Sequence, residues 1–324
     1  MPRVLLTDPI DASGETLLRQ RGVEVVLAPD GSAATVKRLA AEADAVIIRS
    51  KLPDDIFSAA PRLRAVTIHG TGTDLVPLAA ASARGVPVAN LPGENAQSVA
   101  EYCVMAMLML ARNVAAITSA MRSRPWDEAR SLSLPAHEIA GMTAGVVGVG
   151  EIGRRVAGIC RHGFDMRVLG HQRHLDRLPP EAQAADLDEL VAQSDFVVLA
   201  CPLNKDTHHL FAAPRLAAMK RSAWLINVGR GPVIDEAALV EALRERRIAG
   251  AMLDVYEHYR IVAGHPLFAL DNVILTPHLA GSTHESRARS SVRAAEETLR
   301  MLAGEKPRHL VNPEAWDVRR PENR

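Results

Sequence analysis

Little in this chain marks it for a specialised partner. Its 38 basic and 38 acidic residues cancel, so no bulk field favours nucleic acid or an anionic lipid surface. Cysteine is scarce: Cys103, Cys160 and Cys201 stand alone, without a Cys-x-x-Cys or Cys/His spacing. That argues against a disulfide scaffold or a zinc site, and reads as small buried apolar residues in a reducing compartment. Histidine is more plentiful, but pairs such as His208 and His209 lack metal-ligand spacing, and no metal is expected. The longest apolar run, residues 99–111, is interrupted by Glu101 and is too short to span a bilayer. No charged segment followed by an apolar core opens the chain, which runs directly into the strand-like Val4 to Leu6. A secretory leader is therefore not expected, and the location implied is cytoplasmic. Internal repeats and low-complexity tracts are missing as well. What remains is a globular composition in 324 residues, a length suited to two domains of roughly 100–200 residues each.

Short apolar runs alternate with amphipathic stretches along the whole chain, a pattern of βα units that implies parallel sheets. In the first part, strands are expected at 3–7, 23–27, 45–49, 63–68 and 86–89, with helices such as 13–21 and 35–43 between them. Five strands in so short a stretch read as a compact doubly wound unit. A long helix is expected over 98–121, which has no glycine or proline and suits a domain bridge, a subunit contact or plain core packing. A second series follows, with strands at 144–147, 166–169, 195–200, 223–228, 249–255 and 273–275 and a clear helix at 235–246. The tail beyond Asn312 is polar, includes Pro313 and Pro321, and is expected to loop back over the first domain.

Between the first strand of the second series and a helical stretch at 152–161 lies Gly148-Val149-Gly150-Glu151-Ile152-Gly153. A strand, a tight glycine turn and a helix N-terminus are what a dinucleotide pyrophosphate needs: close backbone approach and unpaired N–H groups facing the anion. The motif sits near mid-chain, so a separate domain must precede it.

Three further residues lie near the ends of second-series strands, where ligands of open α/β sheets bind. Arg230 is bracketed by Gly229 and Gly231, a setting that suits two parallel hydrogen bonds to a carboxylate and equally a surface turn. His278 lies between Pro277 and Gly281; imidazole is the usual acid or base near neutral pH, and a strand-end histidine also serves plain structure. Asp254 ends a strand and suits either a helix cap or a grip on a cofactor amide.

Together these pieces make the chain resemble the D-isomer-specific 2-hydroxyacid dehydrogenase family over nearly its whole length. The likeness rests on Gly85 to Asn90 followed by Ser98 to Glu101, on Gly148 to Gly153, on Ile226 to Gly231 leading to Asp235, and on Leu275-Thr276-Pro277-His278. The resemblance implies two doubly wound parallel-sheet α/β domains. One is a flavodoxin-like substrate domain of residues 1–100 and 289–324; the other is an inserted Rossmann dinucleotide-binding domain of residues 101–288, with substrate held in a cleft between them. It implies that Arg230 binds the substrate carboxylate and carbonyl and that His278 protonates the carbonyl oxygen as hydride arrives. It also implies that the loop Gly70-Thr71-Gly72 and Asn95 hold substrate and that Asp254 fixes the nicotinamide. Gly148, Gly150, Glu151, Ile152, Gly153, Gln172, Arg173, Cys201, Pro202, Thr207, Val228, Gly229, His278 and Gly281 complete the implied cofactor site. The expected activity is reduction of a 2-keto acid of the glyoxylate or hydroxypyruvate kind, or the reverse oxidation, by a homodimer. The alternative is a weakly catalytic dinucleotide-sensing protein of the corepressor type.

Two departures from the family pattern matter. The family's glutamate that supports the histidine lies five residues after the aspartate matching Asp254, and Tyr259 stands there. A phenol carries no charge near neutrality, so the imidazolium loses electrostatic support and reduction is expected to fall away at lower pH. Glu257, two residues early, is the competing supporter. The second departure is at the end of the second strand, where NAD-preferring members carry an acid and this chain has Gln172 and Arg173, flanked by His171 and His174. No carboxylate repels a 2′-phosphate there, which favours NADP(H), with NAD(H) as the alternative.

Overall fold

The structure, a computed structural model, describes residues 1–318, and these form two compact units. Of the described residues, the first comprises 1–95 and 282–318; the second is Ala96–Gly281. Both boundaries fall a few residues before the expected 100/101 and 288/289, because helix Ala96–Ala111 packs its buried face on the second core and helix His284–Leu302 on the first.

In the first unit β1 (Arg3–Leu6), β2 (Glu24–Leu27), β3 (Ala45–Ile48), β4 (Ala65–Ile68) and β5 (Val88–Ala89) form a parallel sheet in the order β2-β1-β3-β4-β5. That is the flavodoxin-like order expected. Successive strand side chains alternate between faces. Val4, Leu6, Ala45 and Ile47 meet Ala294, Ala295 and Met301 of the last long helix, while Leu5, Val46 and Ile48 meet Val36, Ile56 and Phe57. Both faces are covered, as a parallel sheet requires. Helix Ala12–Gln20 packs so tightly on helix His284–Leu302 that a Cβ on Gly14 would lie 2.5 Å from the Ser291 carbonyl oxygen. Beyond Asn312 the chain does return to this unit. The Asn312 side chain pairs with backbone at Val86 and Val88, and helix Pro313–Val318 lies on helix Leu78–Ala83. Pro321 is outside the described residues.

The second unit contains β6 (Thr143–Val147), β7 (Arg167–His171), β8 (Gln183–Ala184), β9 (Phe196–Leu199), β10 (Trp224–Asn227), β11 (Gly250–Leu253) and β12 (Val273–Leu275). All pair in parallel, in the order β12-β11-β10-β9-β6-β7-β8. The order reverses between β6 and β9, which opens a crevice at their carboxyl ends, where a doubly wound sheet takes its ligand. One face carries Val146, Val198 and Ile226 against Cys103 and Met107 of helix Ala96–Ala111 and Val156 of helix Glu151–Phe164. The other carries Val147, Val197 and Leu225 against Leu190 and Leu239. The single helix expected over 98–121 is two helices, Ala96–Ala111 and Val114–Ala120, bent by 60°. Asn113 breaks it: its backbone is left-handed at φ 51°, which asparagine tolerates, and its amide donates to the Leu132 carbonyl. Among the described residues no single helix is long and apolar enough to cross a membrane.

Candidate active site

The glycine turn after β6 has the geometry its sequence implies. Gly148 adopts φ 92°, and a Cβ there would sit 2.6 Å from Cys201 Cα. A Cβ on Gly153 would sit 2.3 Å from the Gly148 carbonyl oxygen, so the helix can lie against the strand only because that residue is glycine. Gly150 differs: a Cβ there would meet nothing within 4 Å, and no side chain caps the helix that begins at Glu151. An uncapped helix N-terminus beside open space fits a pyrophosphate. Ile152 packs on the core below.

At the end of β7, His171 Nδ1 lies 3.1 Å from the Ala185 carbonyl oxygen, and Gln172 Nε2 donates to the His174 carbonyl at 2.8 Å. Arg173 is exposed beside them. After β9, Cys201 is buried and burial pushes its thiol up to about 11, which leaves it no nucleophilic part. Thr207 Oγ1 closes the following loop by donating to the Pro202 carbonyl at 2.7 Å.

The turn after β10 holds Arg230 by its backbone. Buried Asn227 accepts from Gly229 N at 3.1 Å and donates to the Arg230 carbonyl at 3.1 Å. On one side a Gly229 Cβ would come within 2.7 Å of the Cys201 carbonyl oxygen; on the other a Gly231 Cβ would overlap the Tyr256 carbonyl. The flanking glycines are thus close-packing residues, and the guanidinium between them donates from Nη1 to the Gly229 carbonyl at 2.9 Å. Val228 packs beneath.

Asp254, at the end of β11, is 1% exposed and grips the turn after β12. Its Oδ1 accepts from Thr276 Oγ1 at 2.6 Å and Leu279 N at 2.8 Å, and its Oδ2 from Ala280 N at 2.8 Å. His278 lies inside that grip, with its own N–H on the Asp254 carbonyl at 2.9 Å and a left-handed φ of 54°. Gly281 closes the same turn. Tyr102 Oη is 2.5 Å from Thr276 Oγ1, and Tyr256 Oη donates to the Thr276 carbonyl at 2.8 Å. Tyr259 stands edge to face with the His278 ring at 5.7 Å. Glu257 does not replace the absent carboxylate: its Oε1 is 3.4 Å from His209 Nε2, and its N–H donates to Glu236 Oε2. The other Glu236 oxygen lies 3.0 Å from His265 Nε2, so one half-buried glutamate anchors both ends of the loop that carries Tyr259.

Arg230, Asp254, Tyr259 and His278 therefore share the carboxyl edge of β10, β11 and β12. Tyr102, Asn227 and Thr276 join them without having been singled out from the sequence. Thr276 was legible as the neighbour of a motif proline; Tyr102 had no local signal at all.

In the first unit, Gly70, Thr71 and Gly72 follow β4 at its carboxyl end. The Gly70 carbonyl accepts from Leu91 N at 2.8 Å, and Thr71 Oγ1 donates to the Leu91 carbonyl at 3.2 Å. Asn95, half-buried, ends this part of the unit. His69, just before the loop, has Nε2 2.8 Å from Ser291 Oγ. Burial, with the Arg49 guanidinium second, pulls its imidazole down to about 4.

Comparison with known proteins bears on this arrangement. The family model for the NAD-binding domain of D-isomer-specific 2-hydroxyacid dehydrogenases matches residues 104–280. A glyoxylate reductase of Thermofilum pendens is 38% identical over 278 residues, which cover 84% of this chain and 82% of that one. A crystal structure of a Thermus thermophilus protein shares 34% identity and a TM-score of 0.88, covering 95% and 99% of the two chains. The NADPH-dependent glyoxylate/hydroxypyruvate reductase of Sinorhizobium meliloti, solved with citrate, shares 27% identity and a TM-score of 0.84, covering 99% and 100%.

Proposed function

The chain belongs to the D-isomer-specific 2-hydroxyacid dehydrogenase family, and on that premise we propose that it reduces glyoxylate or hydroxypyruvate with NADPH as preferred donor. Interconversion of 2-keto and 2-hydroxy acids with a nicotinamide dinucleotide is its activity. The observation that carries the catalytic reading is the fixed placement of Arg230 after β10 and His278 after β12, on either side of β11, each locked by backbone contacts.

Bound along the glycine turn, the dinucleotide supplies the hydride. Arg230 pairs with the substrate carboxylate through parallel N–H groups and draws electron density from the adjacent carbonyl. His278 gives its proton to the carbonyl oxygen, and in the oxidative direction takes it back. In this reading the backbone amides of Gly70, Thr71 and Gly72 and the side chain of Asn95 also bind substrate. Asp254, besides gripping the histidine turn, would fix the nicotinamide end of the cofactor in this reading.

Support for NADPH comes from the end of β7, where Gln172 and exposed Arg173 offer a 2′-phosphate a cation and no repelling carboxylate. Support for a homodimer comes from Met105, Leu108, Val114, Met121 and Trp126, which are exposed along one continuous stretch of chain. The test is absorbance-monitored turnover of glyoxylate, hydroxypyruvate, pyruvate and phenylpyruvate with NADPH and NADH in parallel. Preference for the first two acids and for NADPH bears the proposal out; equal kcat/KM with NADH removes the cofactor assignment.

A further inference from the structure

We propose that Tyr102 is a positioning residue for proton delivery by His278, acting through Thr276 and Asp254; the inference rests on His278 as the proton donor. The direction of the hydrogen bonds carries it. Thr276 has one hydroxyl hydrogen, and the Asp254 carboxylate, 2.6 Å away, can only accept it. The Tyr102 phenol, 2.5 Å from the same Thr276 oxygen, must therefore donate. Tyr102 thus fixes Thr276, Thr276 fixes the carboxylate, and the carboxylate holds the N–H groups of Leu279 and Ala280 on the far side of His278.

The turn needs such a hold, because His278 sits in a left-handed conformation that an L-residue does not favour. Tyr256 adds a second phenol on the Thr276 carbonyl. Burial raises both phenols, Tyr256 to about 12 and Tyr102 further, so both remain donors wherever an imidazole titrates. Tyr102 reaches Thr276 across 174 residues of chain, from the helix Ala96–Ala111. If packing were its only part, the buried ring would suffice without its hydroxyl.

The test compares Tyr102→Phe, Thr276→Val and Thr276→Ser in the full-length protein. Two readouts are taken: turnover of a 2-keto acid alongside cofactor Kd, and the NMR titration of the His278 ring. The expected result is a fall in kcat of about tenfold in Tyr102→Phe with cofactor Kd unchanged, because small misplacement of a reacting group is costly. A displaced His278 titration should accompany it, Thr276→Val should behave likewise, and Thr276→Ser should stay within about twofold of the native enzyme. Native kcat and native ring titration in Tyr102→Phe overturn the proposal, as does a loss reproduced equally by Thr276→Ser. If Tyr102→Phe does not fold, the Thr276→Val and Thr276→Ser pair makes the same comparison. His278→Gln run in parallel separates the two layers: retained turnover there removes the donor assignment, and the ring titration still decides whether Tyr102 holds the histidine.

Discussion

Tyr259 and His278 meet as two rings, 5.7 Å between centroids and 69° between planes, where the family pairs the histidine with a carboxylate. An aromatic edge contact contributes packing but no charge. Replacing Tyr259 by Glu should therefore extend 2-keto acid reduction upward by about one pH unit, since a nearby carboxylate favours the protonated imidazole. Glu257→Gln should change turnover by less than about twofold, because that carboxylate faces His209. The pH–rate profiles of the two variants check both statements, and a large loss in Glu257→Gln would mean that the loop rearranges around substrate.

The end of β7 makes a separate prediction about cofactor choice. Arg173→Ala should raise the KM for NADPH by about tenfold or more and leave that for NADH nearly unchanged, because only NADPH carries the 2′-phosphate. The difference should shrink as salt is added. Gln172→Asp should shift preference toward NADH. Parallel kinetics at two ionic strengths measure both.

Two glycines in one motif should respond oppositely to the same change. Gly153→Ala places a methyl 2.3 Å from the Gly148 carbonyl oxygen, and the variant should fail to fold or be severely destabilised. Gly150→Ala places its methyl in open space, at a backbone φ of −81° that carries no left-handed penalty. It should fold normally and lose about tenfold or more in cofactor affinity, because the methyl fills the space left for the pyrophosphate. Thermal melts with and without cofactor distinguish the two.

His69 predicts how the protein meets acid. The unfolded imidazole titrates near 6.5 and the folded one near 4, so between those values the unfolded chain binds more protons. The contribution to stability is complete above 6.5 and is lost as pH falls through that window, up to roughly 3 kcal/mol in all. Ser291 Oγ already accepts from Asp11 N at 2.9 Å, which leaves its hydrogen for an unprotonated Nε2. Urea unfolding at a series of pH values should show this slope in the native protein and a flatter one in His69→Asn.

The parts of the fold legible in the sequence are those whose residues answer to one local demand. The strands were legible because parallel sheets buried on both faces need unbroken apolar runs such as Ala45–Ile48. β8 left no such trace, since Gln183 and Ala184 are both exposed and pair along only one edge. The break at Asn113 was hidden for the opposite reason: nothing around it is glycine or proline, and only the backbone angle betrays it. In the site, Arg230 and His278 stood out by their glycine and proline neighbours. Thr276 was marked only by its motif proline and Tyr102 by nothing, because their contact joins distant stretches of chain and has no periodicity to reveal it.

The assignment of helix His284–Leu302 to the first unit has a consequence for the order in which the protein is built on the ribosome. Ala294, Ala295 and Met301 line one face of a sheet whose strands precede the second unit in the chain, so that face stays incompletely covered until residues 294–301 have emerged. The second unit is one uninterrupted segment and has all its strands by residue 275. β1 and β3 thus leave the ribosome before the second unit and complete their core after it, and during that wait their partly covered face is what a nascent-chain chaperone would meet.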